Sequence, residues 1–497
     1  MLKVDELKQD ILQAATHLAT KIRSTEGQAD AFKQLVPIYL QRNEVDFAAS
    51  LADTLNDPFT RDQLLMEIAE RCAAINDDDY ALQLADAIED DSINLQALEK
   101  IAIRKISLGQ IDKALQIADS IEHPDNIYSE LALYLTQQGA LSDAKEITQR
   151  IYLSTIKAAT QLQMAIILLE QNQMEDASGL IDEALQTSSE IDYKIDEIKT
   201  LIEIGNTLIR AEMLDKAIKT LDRARQEAIK LDDAAKETLL SVISTSFLES
   251  GNIELADETL DLITDKTIIA STLSSFANVF SKKNQQDEAI DALKEAFQIL
   301  KSQTSSEIRS SSLRFQVFRI IATQFAAIGD FERAIMIAES IEDYDELQLT
   351  LTHIAKAFAA QGKDDLADEV IRMIDEDDIK MFALIELADV KISLGLNDSA
   401  SNYLQKAAEL TDSVFQPFSR SEACLSIAER FIGLNQQESA SRLFQESIEN
   451  AAEIRDETLR VISLIRSAQL CEKYNLTLSE NSQNKLREII FKSETQS

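Results

Sequence analysis

Residues 95–121 read LQALEKIAIRKISLGQIDKALQIADSI, and their spacing decides the fold. Leu98, Ile101, Ala102 and Ile106 fall on one face of a helix; Ala114, Ile117, Ala118 and Ile121 fall on one face of a second. Between them stands Gly109, a residue type that adopts the left-handed conformation closing a helix without steric cost. Ala102, seven residues before it, and Ala114, five after it, are small enough for two antiparallel backbones to come close. A larger side chain at either place overpacks the crossing. The stretch encodes a helical hairpin.

The same spacing recurs along the chain, the signature of a repeat array. Anchors of the Gly109 type stand at Asn43, Asn76, Gly109, Gly139, Asn172, Gly251, Asn284, Gly329, Gly362, Gly395 and Asn435, with Glu212 in the equivalent place once. Five residues after each anchor is an alanine, from Ala48 and Ala81 through to Ala400 and Ala440. Seven residues before each is Ala or Gly, with Val36 and Ser244 as exceptions. The anchors lie 30 to 45 residues apart, and the unevenness is informative. Seven residues beyond the alanine, the short-interval hairpins carry Leu55, Ile88, Ile121, Ile151, Ile263, Ile341 and Ile374; the long-interval ones carry Ala184, Ala224, Ala296 and Ala407. The second helix is expected to end soon after a bulky residue, and to continue by one or two turns where alanine permits close packing. Ala468 and Asn475 fit a thirteenth hairpin, but Glu480 stands where its alanine should.

Composition agrees. In 497 residues there are 10 Gly and 4 Pro, too few turn formers for a β-rich fold. No apolar run reaches the ~18–20 residues that span a bilayer. The opening MLKVDELKQD lacks the apolar core of a signal peptide, so a cytoplasmic location is expected. Cys72, Cys424 and Cys471 are isolated, and His17, His123 and His353 are scattered, so no zinc-type ligand set is expected. The acidic runs 77–79 and 375–378 lack the spacing of a calcium loop. No nucleotide-binding, metalloprotease or nucleophile-elbow motif occurs, and neither catalysis nor a cofactor is expected. Acidic side chains outnumber basic ones by 87 to 49, a formal charge of −38. That argues against nucleic acid and anionic membrane surfaces, whose binding needs Lys and Arg. It favours electrostatic steering of a basic protein or peptide.

The hairpin spacing resembles the tetratricopeptide repeat, a 34-residue unit with small residues near positions 8 and 20, a Gly-type residue at 15 and Ala at 27. Ala102, Gly109 and Ala114 match the first three, and the Ala at 27 stands only in the long hairpins. The family's early Trp is absent throughout. The resemblance covers about residues 29–450. It implies an all-α, right-handed α-solenoid of about twelve antiparallel helical hairpins that binds proteins and does no catalysis. Some members grip a peptide's C-terminal carboxylate with Lys, Arg and Asn of the first helices. Here the matching concave-face positions are Glu99, Arg319, Lys356, Asp389 and Glu429, a mixed set that suits a neutral or basic segment better.

The expected organisation is a capping helix within 1–28, repeats over 29–301, a candidate hinge at the serine-rich 302–311, repeats over 312–475, and a closing helix and tail over 476–497. The leading functional expectation is a protein-interaction scaffold or adaptor. The alternatives are a self-associating structural component, marked by an exposed apolar stripe on a terminal helix, and a regulatory subunit of an enzyme.

Overall fold

The computed structural model describes residues 10–304 and 310–496, and every regular element among them is helical. The candidate hinge falls partly on residues outside that range. First helices of 13 to 18 residues alternate with second helices, as in Asp91–Ser107 followed by Ile111–Ala118. The fold is a solenoid of antiparallel hairpins.

Each hairpin turn is built as the spacing requires. All twelve anchors, and Asn475 as a thirteenth, have positive φ, between 52° and 91°. The N–H of the residue after each anchor reaches back to the carbonyl five positions earlier, as in Gln110 to Lys105 and Leu396 to Lys391. That bond satisfies a carbonyl the helix end would otherwise leave open. The alanine five residues after every one of the twelve anchors is 0 % exposed, Ala114 and Ala440 among them. Second helices are 8 or 9 residues long where Leu or Ile follows, as in Ile111–Ala118 and Asp364–Arg372. They are 13 to 16 residues long where Ala184, Ala224, Ala296 or Ala407 follows.

The exceptions to the pattern have local causes. The Ser244 hydroxyl, fully buried, donates to the carbonyl of Ala256 at 2.6 Å, across the crossing where other hairpins carry a methyl. Gly205 replaces Ala because a methyl there would meet Leu221 Cδ2 at 2.6 Å. Glu212 has φ 60° with no glycine or asparagine to ease it. Such a conformation costs an ordinary L-residue about 1–2 kcal/mol. Glu212→Gly is therefore expected to stabilise the protein by about 1 kcal/mol, the glycine's greater chain entropy offsetting part of the relief. A urea midpoint that does not rise would show that the strain is relieved in another way.

The chain forms two compact units, Met1–Ile101 with Leu351–Ser497, and Ala102–Thr350. In the second, a continuous apolar core runs from hairpin to hairpin, including Ala102, Ala114, Leu131, Ala144, Leu162, Ala165 and Ala177.

Several pairs of neighbouring first helices are held together by polar contacts at one end or the other. At one end a carboxylate takes two backbone N–H groups from the loop that starts the next first helix. Asp62 Oδ2 accepts from Glu89 and Asp90 at 3.0 and 2.9 Å. Asp125 accepts from Tyr152 and Leu153 at 3.0 and 2.9 Å. Glu237 accepts from Thr264 and Asp265 at 3.2 and 2.7 Å. The separation along the chain is 27 and 28 residues each time. At the other end a lysine meets the carbonyls that close the preceding first helix. Lys283 Nζ donates to Leu248 O at 2.8 Å. Lys391, fully buried, donates to Ala359 O at 2.8 Å and pairs with Asp364. Anions at helix starts and cations at helix ends complement the helix dipole.

In the first compact unit the two ends of the chain meet. Helix Ile11–Ala19 packs along Glu457–Tyr474, the place a hairpin partner takes elsewhere, and Glu457–Tyr474 also packs on Thr25–Gln41. The helix after the thirteenth turn, Glu480–Gln496, lies against Gln437–Glu453 and Ile11–Ala19. Glu480, where the pattern has Ala, removes the small contact that would seat it in the usual way. The first hairpin begins at Thr25, capped by Ser24 Oγ, four residues before the bound at 29 expected from the sequence, and the candidate hinge at 302–311 falls within the unit Ala102–Thr350 rather than between two units. Gly27 lies in that first turn, where a side chain would strike Thr458.

Candidate functional site

The five charged positions singled out from the sequence all lie on first helices. Glu99 is half-buried in Asp91–Ser107. Arg319 sits in Ser311–Ile328, in the compact unit Ala102–Thr350, with Glu346 of the next first helix 3.8 Å away. Lys356, Asp389 and Glu429 belong to the other unit. There Lys356 Nζ meets Glu386 at 2.8 Å. Asp389 receives Arg430 Nε and Nη2, both at 2.7 Å. Glu429 receives Lys473 Nζ at 2.8 Å and the Tyr474 hydroxyl at 3.3 Å.

These contacts run from one first helix to the next. Glu70 with Lys100 at 3.1 Å continues the series, as does Glu422 with Arg466. At the meeting of the chain ends, Arg42 Nε and Nη2 grip Glu472 in a fork at 3.0 and 2.9 Å. The ion-paired row therefore passes across the junction of the termini. A carboxylate–guanidinium fork fixes orientation as well as charge, so the junction has a defined register. The sequence reading found one member of each pair and missed the partners Glu346, Glu386, Arg430 and Lys473. Their signal is an opposite charge one repeat interval later, 27 to 44 residues on.

Where helices Thr25–Gln41, Pro417–Gly433 and Glu457–Tyr474 come together there is a cleft of about 380 Å³. Ile38, Gln41, Leu425, Glu429, Gln469 and Lys473 are among its walls. Of the five sequence-derived positions, Glu429 is the one that lines it. The hydrogen bond from Lys473 is the main reason the Glu429 carboxyl lies below its ordinary value of 4.5, with burial opposing and the Tyr474 hydroxyl assisting. The same bond raises the Lys473 ammonium. Because the folded value of Glu429 is depressed, this pairing contributes above the unfolded value and is lost as pH falls through the folded one. The pair is exposed to solvent, so the effect on global stability is small. Titration of the Glu429 carboxylate by NMR is expected to give a midpoint below 4.5, and Lys473→Met to move it back up.

The cysteines offer no nucleophile. Burial pushes Cys72 to about 11 and Cys424 to about 12, and it also raises Cys471. The thiolate is the reactive form, and at neutral pH these groups hold their protons. Among the described residues no cluster of His, Cys, Asp and Glu is arranged to hold a metal ion, and no helix is long and apolar enough to cross a membrane.

No family model and no curated protein matches the chain. Among solved structures, the chain is similar to Ton1535 from Thermococcus onnurineus NA1, at 16% identity and a TM-score of 0.30, over 68% of this chain and 98% of that one. It is also similar to a chain of the APC/C hetero-tetramer Cut9-Hcn1, at 11% identity and a TM-score of 0.22, over 87% of this chain and 95% of that one. At these TM-scores the fold rests on the chain's own helices: thirteen left-handed turns, twelve of which close the first helix of a hairpin.

Proposed function

We propose that this chain is a noncatalytic protein-interaction scaffold or adaptor of the cytoplasm, and that its partner presents a basic, extended segment. One observation carries the reading. Lysines and arginines on the first helices or at their ends (Arg42, Lys100, Lys356, Arg430 and Lys473) are engaged with carboxylates of neighbouring helices, while the chain as a whole keeps a charge of −38. The surplus that reaches a partner is negative, which raises encounter rates with a cationic one and suppresses anionic ones. Within one compact unit the charges at Lys356, Asp389 and Glu429 are each held by a partner on the next first helix, as Arg319 is by Glu346 within the other, and Glu99 is half-buried on its first helix. An ordered pattern favours specificity, since little side-chain freedom is lost on docking.

The alternative of self-association through a terminal helix has less support. Leu12, Ala15 and Leu18 of the first described helix are buried, as are Leu486, Ile489 and Ile490 of the last, and among the described apolar residues of these two helices only Phe491 stands out, at 67% exposed. The described parts of the terminal helices, Ile11–Ala19 and Glu480–Gln496, spend these apolar residues within the chain.

Affinity capture from the native cell at about 50 and 300 mM salt tests the proposal. Basic proteins are expected to be retained at the lower concentration and released at the higher, where screening shortens the Debye length. Enrichment indifferent to salt, or dominated by acidic proteins, would contradict it.

A further inference from the structure

Glu212 is the one anchor of thirteen that is neither Gly nor Asn, yet its φ is 60°. Strain that an ordinary substitution would relieve, retained at one position of a regular array, directs attention to what the side chain does there. Glu212 borders a shallow cleft of about 420 Å³ within the unit Ala102–Thr350, between the ends of Ser154–Glu170 and Lys194–Arg210. The cleft has an apolar floor of Ile166, Leu169 and Met174, of which Met174 is 47% exposed. Glu170 and Glu212 are exposed at its rim, and neither is ion-paired among the described residues, whereas Lys216 of the following helix pairs with Asp182. Arg210, the one cation of the lining, donates to Thr207 Oγ1 at 3.1 Å.

We propose that this cleft docks a short extended segment of a protein partner, with an aliphatic side chain on the Ile166–Leu169–Met174 floor and an adjacent Lys or Arg between Glu170 and Glu212. The proposal rests on the basic-partner reading above and gives it a site. The volume is in the range of clefts that enclose a small ligand. The two rim carboxylates exceed the single guanidinium, so the local charge matches a cationic side chain. The remaining donors of Arg210 suit a main-chain carbonyl of the segment. The glycine or asparagine that other turns use would ease the backbone and remove the rim carboxylate. That trade explains why this turn alone keeps glutamate.

The test uses the full chain and a fluorescein-labelled octapeptide of alternating Leu and Lys flanked by Gly, read by anisotropy, with a control peptide carrying Glu for Lys. The native chain is expected to bind the first peptide and not the second. Glu170→Gln with Glu212→Gln is expected to weaken binding about tenfold, as two rim ion pairs are lost. Glu212→Gly is expected to weaken it about threefold while raising the urea midpoint, which separates loss of the site from loss of the fold. Met174→Ser is expected to weaken it through the floor. Binding that these variants leave unchanged would overturn the cleft while leaving the basic-partner reading standing. No binding by the native chain, or equal binding of the control peptide, would overturn both.

Discussion

Asp62→Ala is expected to destabilise its compact unit by about 3 kcal/mol. Asp62 is 1% exposed, and its two carboxylate oxygens serve different partners. Its Oδ2 takes the N–H groups of Glu89 and Asp90, and its Oδ1 takes Arg61 Nε and Nη2 at 3.2 and 2.9 Å. A hydrogen bond to a charged group contributes roughly 1.5–3 kcal/mol, and truncation removes four at once, although Arg61 keeps Glu89 as a second carboxylate at 3.1 Å. Water reaches the exposed loop at Glu89 and Asp90 and recovers part of this, which keeps the estimate near 3 rather than 5 kcal/mol. Asp62→Asn is expected to cost about half as much, because an amide oxygen can still accept from the loop but its NH₂ opposes Arg61. Hydrogen exchange at the amides of Glu89 and Asp90 is the local readout. Unchanged exchange there, or a fall below about 1 kcal/mol in the urea series, would show that the loop is held by packing alone.

That device was not legible in the sequence, and the reason is physical. A carboxylate that captures backbone N–H groups 27 and 28 residues away leaves no side-chain partner to find, and 87 acidic residues hide it. Asp62, Asp125 and Glu237 also sit at different places relative to the start of their own helices, so no fixed offset from the helix start marks them. The turns were legible for the opposite reason. A left-handed residue is selected by steric exclusion at a single position, and exclusion leaves a residue type behind: six Gly and six Asn at the thirteen positive-φ turns. The lengths of the second helices were legible because a bulky Ile or a small Ala decides whether another turn fits. The ion pairs fall between: each member was visible, but its partner lies one uneven repeat further on.

Gly27→Leu is expected to break the contact between the chain ends. Gly27 lies in the first turn of Thr25–Gln41, and a side chain there runs into Thr458 at the start of Glu457–Tyr474. Rotating the Thr458 hydroxyl away still leaves its Cβ at 3.3 Å from even a methyl, and a leucine side chain extends further. Overpacking of a tight crossing costs about 1–3 kcal/mol, and leucine at a position that excludes even a methyl belongs at the upper end. The strain can be relieved by separating the two helices, because no covalent link crosses the junction. The Arg42–Glu472 fork, with both side chains partly exposed, adds too little to resist. The consequence is a local opening. Hydrogen exchange is expected to accelerate in Ile11–Ala19 and Glu457–Tyr474, while helices of the unit Ala102–Thr350 keep their protection. The cleft beside Glu429 and Lys473 is expected to go with it, since Ile38 and Gln41 supply one of its walls. Gly27→Ala tests the same contact with the smallest side chain and should open it less. If Gly27→Leu left exchange in Glu457–Tyr474 unchanged, Thr458 would have room to move, and the close approach of the two ends would not depend on the missing side chain.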